Sequence, residues 1–152
     1  MPDLEAALDA RHPRRRVKHP CMLAVAGIAS EHGRLLLVRD QHGFWAAGVG
    51  GFIEPGEGPE EALLREVREE LGVEGEVGQA LSPALFWHVD GDASFLLFLF
   101  RIRLLSREFS LDPAEVSDVL WAGPEEWPGL EMLPYVRALF EERLAEWLEG
   151  GR

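Results

Sequence analysis

The sequence has a single cysteine, no long apolar run and few basic residues for its length. With Cys21 alone, no disulfide can form within the chain, which excludes a small secreted fold held together by disulfides. Wholly apolar runs such as residues 95–100 are far too short to cross a bilayer, which takes about 20 residues. The sequence therefore favours a protein that folds around a hydrophobic core and has no membrane partner.

The scarcity of positive charge excludes a second class of protein. Fifteen lysines and arginines stand against 27 acidic residues, which gives a formal net charge of −12. A protein that binds DNA or RNA through phosphates needs cationic surface to displace counterions, so we expect no nucleic-acid polymer as a partner. A small anionic substrate remains compatible with this charge if a bound cation supplies positive charge locally.

The length of 152 residues fits one domain, and 47% hydrophobic with 28% charged residues is typical of a globular protein. We predict a flexible polar arm over residues 1–16 and a single domain over 17–152. Basic residues before the apolar stretch 21–29 imitate a signal peptide. That stretch begins late, behind several acidic residues, and reads equally well as a first core strand, so we expect a cytoplasmic protein.

The hydrophobic periodicity and the positions of glycine and proline predict an α+β fold in which a mixed sheet is flanked by two helices. The clearest helix is 59–71, because Pro59 suits its first turn and Gly72 suits a left-handed cap. The other predicted segments are a hairpin of 22–29 with 34–39, a glycine-rich loop with a short strand over 44–58, a hairpin of 76–88 with 93–105, a strand at 119–122 and a helix over 134–148.

The helix at 59–71 carries three carboxylates on one face, since Glu66, Glu69 and Glu70 are spaced i, i+3 and i+4. Glutamates interspersed with arginines are usually no more than a solvated helix face. The pattern alone therefore does not define a site. The apolar residues expected to dock on the sheet are Leu63, Leu64, Val67 and Leu71.

The loop before this helix changes that interpretation. The stretch from Gly51 to Val73 reads GFIEPGEGPEEALLREVREELGV and matches every fixed position of the pattern G-x5-E-x7-R-E-U-x-E-E-x-G-U, where U is apolar. The chain resembles the Nudix hydrolase family, of which this pattern is the signature. The resemblance implies a mixed β-sheet sandwiched between helices and a metal-dependent enzyme that hydrolyses a diphosphate linkage.

The chemistry of the residues agrees with that resemblance. Carboxylates about 4 Å apart repel by roughly 4 kcal/mol per pair at an effective dielectric constant of 20, so such a cluster holds a proton or binds a cation. Ligation by oxygen alone selects a hard ion, so the predicted cofactor is Mg²⁺ or Mn²⁺. Glycines in the loop let the backbone approach the metal and the diphosphate closely.

The resemblance also implies roles for individual residues. Glu66, Glu69 and Glu70 are the expected metal ligands, together with the carbonyl of Gly50, and one of the carboxylates serves as the base; which one stays open. Two further residues of the signature are expected to support this group. Glu57 is predicted as a further residue of the metal site, and Arg65 is predicted as a catalytic residue that orients a carboxylate through charge-assisted hydrogen bonds.

Four residues outside the signature are candidates for the site. Glu115 precedes a strand where similar proteins often carry a further catalytic carboxylate, with Asp118 as the alternative; the competing interpretation of either is an exposed loop acid. Arg39 ends a strand where it can contact phosphate. Two aromatic residues are predicted to stack on a flat part of the substrate: Phe86 and Trp87.

We therefore predict a hydrolase that cleaves a nucleoside diphosphate linked to another moiety, such as a nucleotide sugar, a dinucleoside polyphosphate or a nucleoside triphosphate. The expected partner is this small substrate, and a homodimer is compatible with the sequence. Two alternatives stay open. The spacing from Trp45 to Gly50 is similar to that of some isoprenyl-diphosphate isomerases on the same fold, and a non-catalytic nucleotide-binding module would share the fold but is expected to lack signature carboxylates.

Overall fold

The computed structural model describes residues 20–88, 91 and 93–149. The arm predicted for residues 1–16 lies outside this part of the chain. The strands are β1 (Cys21–Ile28), β2 (Ser30–Glu31), β3 (Arg34–Asp40), β4 (Trp45–Ala47), β5 (Val49–Phe52), β6 (Gly75–Trp87), β7 (Ser94–Leu104) and β8 (Val116–Ala122). The α-helices are α1 (Pro59–Leu71) and α2 (Pro134–Leu148), and a short 3₁₀ turn covers Trp127–Gly129.

The strands form two four-stranded sheets. The first sheet has the order β5-β1-β7-β6, in which β1 and β7 run parallel and the other neighbours antiparallel. The second contains β2, β3 and β4 in order, with β8 paired to the other side of β3. The α+β class and the mixed sheet are thereby confirmed.

Each helix packs on its own hydrophobic core. The α1 side has Leu63, Val67 and Leu71 fully buried against strands of the first sheet. The α2 side buries Phe140 and Trp147 with residues from both sheets. Both helices begin and end where the sequence predicted, because a proline occupies the first turn of each and Gly72 adopts φ 65° at the end of α1.

Three arginines attach α2 to the rest of the domain through backbone carbonyls. Arg101 comes from β7, whereas Arg137 and Arg143 belong to α2 itself. Each guanidinium donates two hydrogen bonds, and the acceptors are the carbonyls of Glu146 and Trp147 for Arg101, of Trp127 and Leu130 for Arg137, and of Ser82 and Pro83 for Arg143. The helix is therefore held at both ends and along its length.

One prediction about the strands was wrong. β1 and β3 do not form a hairpin, because β1 lies between β5 and β7 in the first sheet while β3 lies in the second. The two-residue strand β2 takes the hairpin position beside β3 instead. β7 packs against both hydrophobic cores, with Phe98 and Phe100 on one side and Leu97 and Leu99 on the other. This position between the two cores accounts for the long apolar run of β7.

The burial of α1 also differs from the helical-wheel expectation. Leu64 is half-buried, whereas Glu70, from the predicted polar face, is buried and only 7% exposed. One carboxylate of the signature thus lies at the edge of the core. Within the described residues, no helix is both long and apolar enough to cross a membrane.

Candidate active site

The site begins where β5 passes under α1. A Cβ at Gly50 would collide with the backbone carbonyl of Val25 in β1, so only glycine fits at this position. A Cβ at Gly51 would lie 2.5 Å from Oε1 of Glu66. The two glycines therefore let the carboxylate of α1 rest directly on the backbone of the first sheet.

Arg65 organises the entrance to this site. Its Nε and Nη2 donate to the two carboxylate oxygens of Glu57 at 2.7 and 2.9 Å, while Nη1 donates to Glu66 at 2.9 Å and to Glu69 at 3.1 Å. Nη2 also donates to the carbonyl of Phe52 at 3.0 Å. This bidentate pairing fixes the loop to the helix, lowers the pKa of Glu57 and raises the pKa of Arg65. The structure thus brings Arg65 and Glu57 together as supporting residues.

Glu66 and Glu70 form the buried part of the carboxylate group. Burial raises the pKa of Glu70 to about 8, with further contributions from the negative charges of Glu66 and Glu115 and an opposing hydrogen bond from the Gly50 backbone. Burial also raises the pKa of Glu66, against the hydrogen bond from Arg65. Because Glu66 and Glu70 hydrogen-bond each other, the apo protein holds a proton between them near neutral pH.

This donor set fits a hard divalent cation, which would replace the shared proton. The fit rests on the buried, mutually repelling oxygens of Glu66 and Glu70 and on the nearby charge of Glu115. Within residues 20–88, 91 and 93–149, no three acidic, histidine or cysteine side chains are already gathered as a metal site. Arg65 donates to one carboxylate oxygen of Glu66 and to one of Glu69.

Glu115 approaches the same group from the turn before β8. Its side chain is exposed, its N–H donates to the carbonyl of Asp112, and its charge contributes to the raised pKa values of Glu66 and Glu70. The alternative, Asp118, lies on β8 and accepts a hydrogen bond from the N–H of Val119. Of the two candidates, the geometry brings Glu115 to the carboxylates of α1.

An apolar cavity of about 360 Å³ opens beside these carboxylates. It lies between the first sheet, the β3–β4 segment and α2, and this volume is in the range of small-molecule sites. Glu70 and Glu115 belong to its lining together with many apolar side chains. The carboxylate group and the cavity are therefore one continuous site.

The predicted substrate contacts are only partly brought to this cavity. Phe86 lines it, but Trp87 does not, and the indole is 54% exposed. Successive residues of a strand point to opposite faces, so the two aromatic residues cannot both face one ligand. Arg39 is also not part of the lining, since its Nε donates to Ser117 at 3.0 Å and its guanidinium lies over Trp45.

The structure adds residues that the sequence did not indicate. Phe95 stacks on Phe86 with ring centroids 5.8 Å apart, and Tyr135 meets Phe86 edge-on at 5.5 Å. Asp40 lines the cavity while accepting backbone N–H groups of the following turn. The strand pairing of Phe86 with Phe95 was implicit in the predicted second hairpin, whereas nothing in the sequence pointed to Tyr135 or Asp40.

The close approach at Gly51 gives a first prediction. Gly51→Ala should displace the carboxylate of Glu66, which is the flexible end of a side chain, so the protein should stay folded and lose at most about 1 kcal/mol of stability. Activity should fall by roughly tenfold or more, because a displacement of about 1 Å costs much of the catalytic geometry. Gly129→Ala is the matched control, since a Cβ there meets nothing within 4 Å. Urea unfolding and an assay of inorganic diphosphate release on both variants measure this, and full activity in Gly51→Ala would contradict the assignment.

Comparison with known proteins agrees with the geometry. The family model described as NUDIX domain matches residues 18–148. The CTP pyrophosphohydrolase of Escherichia coli (strain K12) is 33% identical over 107 residues, which are 67% of this chain and 76% of that protein. The putative mutator protein MutT4 of Mycobacterium tuberculosis (strain CDC 1551 / Oshkosh) is 35% identical over 125 residues, which are 81% of this chain but only 45% of that protein.

Solved structures of similar fold also match this chain. The solution structure of the E. coli ORF135 protein superposes with a TM-score of 0.68 at 28% identity, covering 84% of this chain and 91% of that one. The crystal structure of a UDP-X diphosphatase superposes with a TM-score of 0.71 at 26% identity, covering 100% of this chain and 74% of that one.

Proposed function

Because this chain belongs to the Nudix hydrolase family, we propose that it hydrolyses a diphosphate linkage in a nucleotide, with nucleoside triphosphates as the first class to test. The observation that carries this proposal is the continuity of the carboxylate group with an aromatic-lined cavity. The carboxylates suit the metal-bound diphosphate, and the cavity suits a flat base. Two similar proteins support the same class: the CTP pyrophosphohydrolase of Escherichia coli and the nucleoside triphosphatase NudI of Enterobacter sp. (strain 638).

In this proposal the cofactor is Mg²⁺ or Mn²⁺, held by Glu66, Glu69 and Glu70 with the carbonyl of Gly50. When bound, the ion offsets the charge of the diphosphate and makes a water molecule more acidic. Arg65 keeps the carboxylates oriented through the hydrogen bonds described above. This division of roles leaves a proton acceptor still to be assigned.

Glu115 suits that role. It stands opposite the carboxylates of α1, lines the cavity and is exposed enough to exchange protons with water. A general base must reach the attacking water without being tied to the cation. We therefore assign to Glu115 the proton released when water attacks phosphorus, and hydrolysis of a nucleoside triphosphate then gives a nucleoside monophosphate and inorganic diphosphate.

The test is a panel of substrates assayed with Mg²⁺ and with Mn²⁺: the common nucleoside triphosphates, UDP-glucose, a dinucleoside polyphosphate, coenzyme A and isopentenyl diphosphate. We expect hydrolysis of nucleoside triphosphates with one oxygen of labelled water entering a product phosphate. Turnover of isopentenyl diphosphate without label incorporation would instead establish the isomerase alternative. Binding of nucleotides without turnover of any compound would establish a non-catalytic module.

A further inference from the structure

Four aromatic rings that contact one another line the cavity, and together they form what we call the aromatic wall. Its members, in order of contact, are Phe52, Phe95, Phe86 and Tyr135. The centroids of neighbouring rings lie 6.1, 5.8 and 5.5 Å apart. The two inner rings are half-buried, whereas Phe52 is 57% and Tyr135 is 53% exposed. Each end of the wall therefore presents ring surface that solvent, and hence a ligand, can reach.

The two ends of the aromatic wall differ in their relation to the carboxylates of α1. Phe52 follows Gly51, which lies against the carboxylate of Glu66, and its carbonyl accepts a hydrogen bond from Arg65. Tyr135 is three ring contacts further along the wall and belongs to the first turn of α2. A substrate whose diphosphate meets the carboxylates would thus pass Phe52 first, and its far end would come to Tyr135.

The position of Tyr135 is well fixed although its ring is exposed. The N–H of Arg137 donates to the carbonyl of Leu133 at 2.9 Å, and the Arg137 guanidinium donates to two carbonyls of the preceding segment. Phe86 meets the ring of Tyr135 edge-on, at an interplanar angle of 73°. A ring that is already held in place binds a flat group at a smaller entropic cost than a mobile one.

We propose that Tyr135 is a specificity-determining residue that stacks on the nucleobase of the substrate and so selects nucleotides over diphosphates without a flat ring. The inference rests on the proposed function, since it needs a nucleotide in the cavity. Every base has a π-face, so this stacking raises the affinity for all nucleotides and does not choose among them. Isopentenyl diphosphate has no aromatic ring and gains nothing from Tyr135.

A spectroscopic test is possible because the sequence contains one tyrosine. Protein labelled with 3-fluorotyrosine gives ¹⁹F signals that come from Tyr135 alone. With Mg²⁺ present, a non-hydrolysable nucleoside triphosphate should shift these signals to saturation, because a stacked base changes the magnetic environment of the ring. Ribose 5-triphosphate, which lacks a base, should leave them nearly in place. Signals that do not move while calorimetry shows the nucleotide binding would overturn the inference.

Steady-state kinetics give an independent test. Tyr135→Leu should raise KM for each nucleoside triphosphate roughly 5- to 50-fold, the effect expected from loss of one stacking ring, while kcat changes by less than about threefold. Tyr135→Phe keeps the ring and should retain the KM of the parent. Trp87→Leu is the matched control, because Trp87 is 54% exposed and adjoins Phe86 in sequence but does not line the cavity. This variant should also keep the parent's KM.

The outcomes separate the inference from the proposed function. An unchanged KM in Tyr135→Leu would overturn the inference, and so would a Tyr135→Phe variant as weak as Tyr135→Leu, since the hydroxyl group would then be the contact. The inhibition constant of ribose 5-triphosphate should be equal in the parent and in Tyr135→Leu, and a rise in the variant would mean that the change disturbs α2 instead. If the parent itself neither binds nor hydrolyses nucleotides, the proposed function fails.

Discussion

The metal-free Glu70→Gln variant should be more stable than the parent at pH 8, and most of the parent's loss of stability between pH 5 and pH 8 should disappear. In the folded protein the pKa of Glu70 is raised from 4.5 to about 8, mainly by burial. Below pH 4.5 both the folded and the unfolded chains carry the proton, so the group has no effect. As the pH rises toward 8, the unfolded chain ionises while the folded one keeps its proton. Stability then falls by a few kcal/mol, because each tenfold difference in proton affinity between the two states corresponds to about 1.4 kcal/mol.

Urea unfolding in EDTA at pH 5, 6, 7 and 8 measures this difference. Glu69→Gln is the matched control on the same helix face, because the side chain of Glu69 is 55% exposed and its change should alter the pH profile far less than Glu70→Gln does. Both variants should lose most of their activity with Mg²⁺, because each lacks a charged oxygen for the cation. Parallel pH profiles for Glu70→Gln and the parent would show that Glu70 does not hold the proton.

Glu115→Gln should reduce kcat by roughly 10²–10⁴-fold, the range expected when a positioned proton acceptor is removed. The amide keeps the shape of the side chain and cannot take a proton from water. Because Glu115 is exposed and lies in a turn, the variant should fold with a Tm close to that of the parent. Steady-state kinetics with a nucleoside triphosphate give the comparison.

Asp118→Asn is the control for Glu115→Gln. Asp118 is an exposed acid three residues further along, whose carboxylate accepts the N–H of Val119. The Asp118→Asn variant should keep a kcat within about twofold of the parent value. If the kcat of Glu115→Gln is within a few-fold of the parent value, Glu115 is only an exposed surface residue. The proton acceptor is then a carboxylate of α1.

Local chemistry explains what the sequence could predict. The bounds of α1 and α2 followed from proline in the first turn of each and from Gly72, because these residues act within one helical turn. The signature predicted that Arg65 and Glu57 would belong with the carboxylates, and the structure brings them together. The signature covers only one helix and the loop before it, so short-range structure also determines how its residues are placed.

Contacts between residues that lie far apart in the sequence could not be predicted in the same way. An apolar strand such as β1 pairs equally well with several others, so its place between β5 and β7 depends on the whole fold. The burial of Glu70 depends on how far α1 sinks toward the backbone of Gly50, which a helical wheel does not show. The cavity combines both sheets with α2, and Tyr135 and Trp147 reach it only through that packing.

The attachment of α2 by Arg101, Arg137 and Arg143 has a consequence for how the two halves of the site respond to acidity. Neither a backbone carbonyl nor an arginine titrates near neutrality, so these hydrogen bonds do not change with pH in the neutral range. The carboxylates under α1 change their protonation over the same range. For the proposed function, a change in pH should therefore act on the carboxylates that would bind the cation and leave the arginine attachment of α2 over the cavity unchanged.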